Sequence, residues 1–177
     1  LKNFIICLIV LCAIVFEAKA QTHVSIGLSS GTMLTSPHLF QIKDRPIGLG
    51  ANMRIARQGM KQGSFKFVEG GLESFKFKTP SSAKIHDWNY LRLNFGKRSY
   101  AISEGYGWYG DVAIGFYGII PSVFGSRFDK FAPGGGVFFG LGYSKGILDV
   151  GVQTHASYSR QGFAFNPFLR VALNLSK

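Results

Sequence analysis

From Thr22 to Leu175, segment after segment, apolar side chains return at every second position, and a period of two is the signature of β-strands. In Thr22–Ser29, Val24, Ile26 and Leu28 oppose His23, Ser25, Gly27 and Ser29. In Ile47–Ala56, five apolar residues oppose Gly48, Gly50, Asn52 and Arg54. The same alternation runs through Asn89–Phe95, Trp108–Ile120, Val137–Tyr143, Leu148–Tyr158 and Pro167–Leu175. Ser64–Lys78 supplies an eighth candidate strand. Turn-forming stretches separate them, among them Gln58–Gly63, Thr79–Asp87, Pro121–Lys130, Ser144–Gly146 and Arg160–Gly162. No stretch after Gln21 shows a capped helical period, and none is apolar over the roughly 18 residues a spanning helix requires. The pattern predicts an all-β chain of eight antiparallel strands.

The first twenty residues form a segment of another kind. Lys2 precedes an unbroken apolar run from Phe4 to Phe16, and Ala18-Lys19-Ala20 has the small-x-small form of a leader cleavage site. The run is short for a membrane helix. The expectation is a cleaved secretory signal peptide over 1–20 and a barrel domain over 21–177. Both cysteines, Cys7 and Cys12, fall within the leader, so the exported domain has no disulfide to lean on. Removal of Lys2, Lys19 and Glu17 leaves eighteen basic and eight acidic residues. For an exported chain, such a balance points to phosphate-rich membrane surface and not to nucleic acid.

Two barrels share this alternation and differ in which face is inside. A soluble lipocalin-like barrel turns its apolar face inward around an apolar ligand. A transmembrane barrel turns it toward lipid and fills the lumen with small and polar groups. Here the polar faces carry glycines and isolated charges or amides (Arg54, Asn52, Arg92, Asn94, Asp111, Asp149, Gln153, Arg170 and Asn174) where a wetted face would carry many Lys and Glu. Aromatics also gather near strand ends, at Trp88, Tyr90, Tyr106, Trp108, Tyr109, Phe128, Phe131, Phe163 and Phe165, as an interfacial girdle requires. The balance favours an eight-stranded antiparallel up-and-down transmembrane β-barrel, with connections Ser30–Pro46, Thr79–Trp88, Pro121–Lys130 and Ser159–Gly162 extracellular. Arg57–Gly63, Gly96–Gly107 and Ser144–Gly146 are then periplasmic, as are both termini.

Ser64–Lys78 is ambiguous because phenylalanines occupy its odd positions together with Glu69 and Glu73. A charge on the lipid face at mid-depth costs on the order of 2–4 kcal/mol for a base and less for an acid. That cost places both glutamates inside, with a bulge expected at Gly70-Gly71. The lumen then holds Glu69, Glu73, Asp111 and Asp149 with Arg54, Arg92 and Arg170. Buried ions must pair, so these residues are expected to form an ion-pair network that plugs the barrel.

Other chemistry is thin. Gly27-Leu28-Ser29-Ser30-Gly31 has the spacing of a nucleophile elbow but lacks the helix that must follow it. Among His23, His38, His86 and His155, no pair has metal-ligand spacing, and His155 reads as a hydrogen-bonded interior residue. Gly134-Gly135-Gly136 lacks the Gly-Lys-Ser/Thr ending of a phosphate loop and reads as a bulged strand entry. No catalytic residue, metal ligand or cofactor is assigned, although a Ser/His lipid-modifying enzyme is a third alternative. Arg54, Arg57, Lys61 and Lys66 flank one turn, while Lys76, Lys78 and Lys84 lie across the next connection and are expected to contact lipid phosphates, including those of lipopolysaccharide.

The order of segments resembles the PorT-like family of outer-membrane β-barrel proteins of Bacteroidetes-type bacteria. The resemblance is carried by Ile47–Asn52 (IGLGAN), Val68–Lys76 (VEGGLESFK), Tyr90–Phe95 (YLRLNF), Gly110–Ile120 (GDVAIGFYGII) and Phe128–Tyr143 (FDKFAPGGGVFFGLGY), closed by Leu148–Tyr158 and Phe163–Leu175. It implies an outer-membrane location, insertion by the barrel-assembly machinery and, for the family's namesake, a part in protein secretion. The chain departs from the usual aromatic ending of such barrels, finishing Leu173-Asn174-Leu175-Ser176-Lys177. The expected role is structural or interaction-based, with outer-membrane lipid and an envelope protein as partners.

Overall fold

The structure is a computed structural model and describes residues 22–35, 47–78, 85–102, 106–121, 132–159 and 162–175. They form β1 (Thr22–Thr32), β2 (Leu34–Thr35), β3 (Ile47–Gln58), β4 (Ser64–Lys78), β5 (Ile85–Tyr100), β6 (Gly107–Pro121), β7 (Ala132–Lys145), β8 (Leu148–Ser159) and β9 (Gly162–Asn174). From β3 to β9 each strand pairs antiparallel with the next, and β1 joins β3 to β9. β2 continues β1 past Met33 in the same register against β9, with Gly31 opposite Phe168 and Leu34 opposite Phe165. The two make one stave, so the sheet is a closed eight-stranded barrel. Closure pairs every stave on both sides along its centre, which is what a membrane demands of a sheet.

The faces follow the alternation. Leu28, Leu49, Ile114, Phe116, Leu141 and Leu169 all face outward and are exposed, whereas Asn52, Arg54, Arg92, Asn94, Asp111, Asp149, Gln153 and Arg170 are buried inside. The inside-apolar, ligand-binding alternative therefore does not hold. Turns at one end are short. Tyr100 N–H donates to the Gly63 carbonyl at 2.8 Å, and Ala101 N–H to that of Trp108 at 2.8 Å. At the β7–β8 turn Gly146 takes φ 59°, which a side chain would resist. The chain's described ends meet at this same end, where Leu175 N–H donates to the Val24 carbonyl at 2.7 Å. Connections 36–46, 79–84, 122–131 and 160–161, at the other end, lie outside the described residues, as does the segment 1–21.

Four expectations need correction. β5 runs from Ile85 to Tyr100, absorbing residues assigned to the loops on both sides. Its ends are polar on the outer face (Lys97, Ser99), so hydropathy stops alternating there while the hydrogen-bond ladder continues. No bulge interrupts β4: Gly70 and Gly71 pair in unbroken register with Met53 and Asn52 and with Leu93 and Arg92. Gly134 to Gly136 likewise pair residue for residue with β6 and β8. Finally, Tyr90 and Tyr109 leave the girdle, since they share parity with Arg92 and Asp111 and are buried in the lumen. Tyr106, Trp108, Phe163 and Phe165 are exposed, and Trp108 packs edge-on against Tyr143 at 5.4 Å.

Candidate functional site

The lumen holds a closed ring of alternating charge. Arg54 and Glu69 are direct cross-strand partners on β3 and β4, and Arg54 Nε donates to Glu69 Oε2 at 2.8 Å. Arg54 Nη1 reaches across to Asp111 Oδ2 on β6 at 2.6 Å. Asp111 is the cross-strand partner of Arg98, which grips it through Nε at 2.8 Å and Nη2 at 2.9 Å. Arg98 Nη1 then donates to Asp149 on β8, and Asp149 accepts from Arg170 Nη1 on β9 at 3.0 Å. Arg170 Nε lies 3.8 Å from Glu69 Oε2, which closes the circuit. Arg92 forms a branch, pairing with Glu73 and lying 3.4 Å from Glu69 Oε1. Ser29 donates to Glu73 at 3.0 Å, Tyr109 to Asp149 at 2.6 Å, and Arg170 to Asn52 at 2.8 Å and Ser25 at 2.9 Å.

Arg98, which the sequence pattern assigns to the Gly96–Gly107 connection, is a lumen residue. With it, Arg54, Arg92, Arg98 and Arg170 balance Glu69, Glu73, Asp111 and Asp149. Without it, the interior would carry one uncompensated carboxylate and the ring would stand open between Asp111 and Asp149. The signal was present: Arg98 keeps the even-number parity of Tyr90, Arg92 and Asn94. Room for these bulky cations comes from glycine. A Cβ on Gly71 would sit 2.7 Å from Arg92 Nε.

Aromatic layers lie on both sides of the ring. Met33, Phe75, Tyr90, Tyr117 and Phe168 pack toward the end with the longer connections. Ala56, Phe65, Phe67, Ala113 and Phe138 pack toward the short turns. Phe65, Phe67 and Phe75 of β4 thus fill the lumen beside its glutamates, which resolves that strand's ambiguity. Arg54 lies 4.1 Å above the Phe67 ring and Arg98 3.4 Å above that of Tyr109, so cation–π contact adds to the ion pairs. A cavity of about 320 Å³ reaches the short turns between Phe65, Tyr100, Tyr106 and Asn174.

His155 is buried, but it is not the hydrogen-bonded residue expected. Its ring sits edge-on among Tyr90, Tyr117, Phe138 and Phe168, at 4.9 to 6.4 Å, and neither nitrogen has a hydrogen-bond partner among the described residues. Ser29, the serine of the elbow-like pattern, lies in β1 and donates to Glu73. Each carboxylate whose side chain is described, Glu69, Glu73, Asp111 or Asp149, lies within ion-pair distance of a guanidinium. No described cluster of three or more His, Cys, Asp or Glu could hold a metal ion. Lys84 and the side chains of Lys76 and Lys78 lie outside the described residues, as do His38 and the side chain of His86.

No protein-family model matches the chain, and no curated protein matches it. Solved structures do. Neisserial surface protein A matches with a TM-score of 0.56 at 12% identity, covering 89% of this chain and 100% of that one. Ail, the attachment invasion locus protein of Yersinia pestis, in complex with the heparin analogue sucrose octasulfate, matches with 0.54 at 13% identity, covering 89% and 100%. The Yersinia pestis outer membrane protein Ail in a phospholipid bilayer nanodisc matches with 0.52 at 13% identity, covering 88% and 100%. The chain has the fold of small outer-membrane barrels. At such identities the likeness is one of architecture, and the lumen chemistry belongs to this chain's own residues.

Proposed function

We infer that the protein is a small outer-membrane barrel whose lumen is plugged and whose work is done by its outer surface and connecting loops. One observation carries this: a charge-balanced ring of ion pairs occupies the lumen between two aromatic layers. In a narrow barrel, side chains arranged this way fill the interior and leave no aqueous path. On this reading the leader is removed after Ala20, the barrel-assembly machinery inserts the chain, and the short turns face the periplasm. The purified protein in planar bilayers is expected to show no stepwise conductance; regular open-channel steps of one size would overturn the plug.

The role that fits a plugged barrel is interaction at the envelope. The outward apolar wall supports residence in lipid, and the PorT-like order of segments supports a place beside other envelope proteins. A polyanion is the natural ligand for a chain with an excess of Lys and Arg. The bound heparin analogue in the Ail structure supports the same ligand chemistry for a barrel of this shape. Lys76 and Lys78 end β4 on the side of the longer connections, and with Lys84 from the connection that follows they are the residues we assign to lipopolysaccharide phosphates. Replacing all three with Gln is expected to lower co-purified lipopolysaccharide severalfold, each surface cation contributing about 1 kcal/mol. Unchanged lipid content by phosphate assay would remove them from that role.

A further inference from the structure

The outer wall carries a row of cations at its short-turn end. Arg57 on β3 is the cross-strand partner of Lys66 on β4, and Lys66 is the partner of Lys97 on β5. All three are exposed and share parity with outward residues such as Ile55, Val68 and Phe95. Three cations on adjacent strands stand about 5 Å apart. Like charges directly opposite one another destabilise a sheet. Among the described side chains no carboxylate faces them: Glu69, Glu73, Asp111 and Asp149 all lie in the lumen. A register that aligns three cations with no described counter-charge beside them suits an anion from outside.

Position selects the kind of anion. Each cation is within three residues of its strand's short-turn end, at Gln58, Ser64 or Tyr100. The exposed Trp108–Tyr143 pair marks the interface at that same end. Immediately inward the wall is apolar, with Phe95 and Val112 exposed. A shallow groove of about 610 Å³ leads away from Lys97 and Ser99, past Gly110 and Val112, to Leu141 and Val152. Gly110 keeps that groove open, since a Cβ there would meet only Leu141, at 3.8 Å. A ligand suited to this surface has a phosphate at one end and a hydrocarbon chain at the other.

Resting on the membrane reading above, we propose that Arg57, Lys66 and Lys97 form a binding site for the phosphate of an anionic phospholipid in the leaflet at the short-turn end, with an acyl chain lying in the groove beside Gly110. The site is distinct from the proposed lipopolysaccharide contacts, of which Lys76 and Lys78 are at the opposite end of β4. The cations lie on the wall with apolar side chains beside them, which suits a lipid better than a soluble acidic peptide.

The test is native mass spectrometry of the full chain from detergent micelles, with dioleoyl phosphatidylglycerol and dioleoyl phosphatidylcholine as probes. The protein is expected to retain phosphatidylglycerol selectively, and a variant combining Arg57→Gln, Lys66→Gln and Lys97→Gln to lose affinity by about fivefold for each cation removed. Lys61→Gln with Lys145→Gln removes two cations from the same end but off the row, and should keep the selectivity. Equal retention of both lipids, selectivity that survives the triple variant, or full displacement by excess inorganic phosphate would overturn the site. So would selective capture of a soluble polyglutamate peptide in place of the lipid. A heat-modifiable gel band reports the barrel separately: if it persists while selectivity fails, only this proposal falls. If the protein proves soluble without detergent, the membrane reading falls and takes the site with it.

Discussion

Glu69→Gln is expected to cost the barrel about 3–5 kcal/mol of unfolding free energy, the usual penalty for removing one partner from a buried ionic cluster. Glu69 faces three guanidinium groups, those of Arg54, Arg92 and Arg170. The amide keeps the shape and some hydrogen bonding but removes the charge that holds them together. Arg54 and Arg170 would retain Asp111 and Asp149, and Arg92 would retain Glu73, so the ring would open without every pair being lost. The measurement is urea unfolding in detergent micelles, followed by tryptophan fluorescence and the heat-modifiable band. Arg98→Met should be similarly costly because it strips Asp111 and Asp149 together. Combined with Asp111→Asn, which restores neutrality, it should cost less than the two single changes added. A loss below about 1 kcal/mol for Glu69→Gln would mean that water already screens the interior, and the plug would be untenable.

The second large effect is on the outer wall. Ile114 is at the middle of β6 and 69% exposed, with Val137 and Phe95 as its cross-strand partners. Lysine there should cost about 2–4 kcal/mol in phospholipid vesicles, the range for a base on the lipid face at the midplane. Ser99→Lys, near the short-turn end of β5, should cost only about 0–1 kcal/mol, because depth sets the penalty. In water the first change would be nearly neutral, since exposed substitutions usually stay within about 0.5 kcal/mol. Equal and small costs at both positions would therefore reject the lipid-facing wall.

Strand by strand, what could be read in advance depended on how steeply hydropathy alternates. β6 and β8 alternate sharply, and their observed limits, Gly107–Pro121 and Leu148–Ser159, lie within one residue of the expected ones. β5 alternates only in its centre, so hydropathy reads its ends, with Arg98 among them, as loops. At bilayer interfaces exposing Lys97 or Ser99 costs little, which erases the hydropathy signal while the backbone still pairs. β4 has apolar residues on both faces, and only the price of a charge in lipid separated them. His155 shows the reverse failure: its polarity suggested a partner, but the rings around it set its surroundings.

The sequence by itself determined the period of two, hence the strands, their parity and which side chains share a face. It also placed Arg54 and Glu69 inside, because charge is costly against lipid. Tertiary structure decided who meets whom. Arg98 reaches Asp149 across 51 residues, and Arg170 reaches Asn52 across 118 and Ser25 across 145. Those contacts depend on how far the strands shear and tilt when the sheet closes. Alternation along a strand carries no record of that shear. The closed charge ring, its neutrality, and the row of cations on the outer wall therefore exist only once the barrel does.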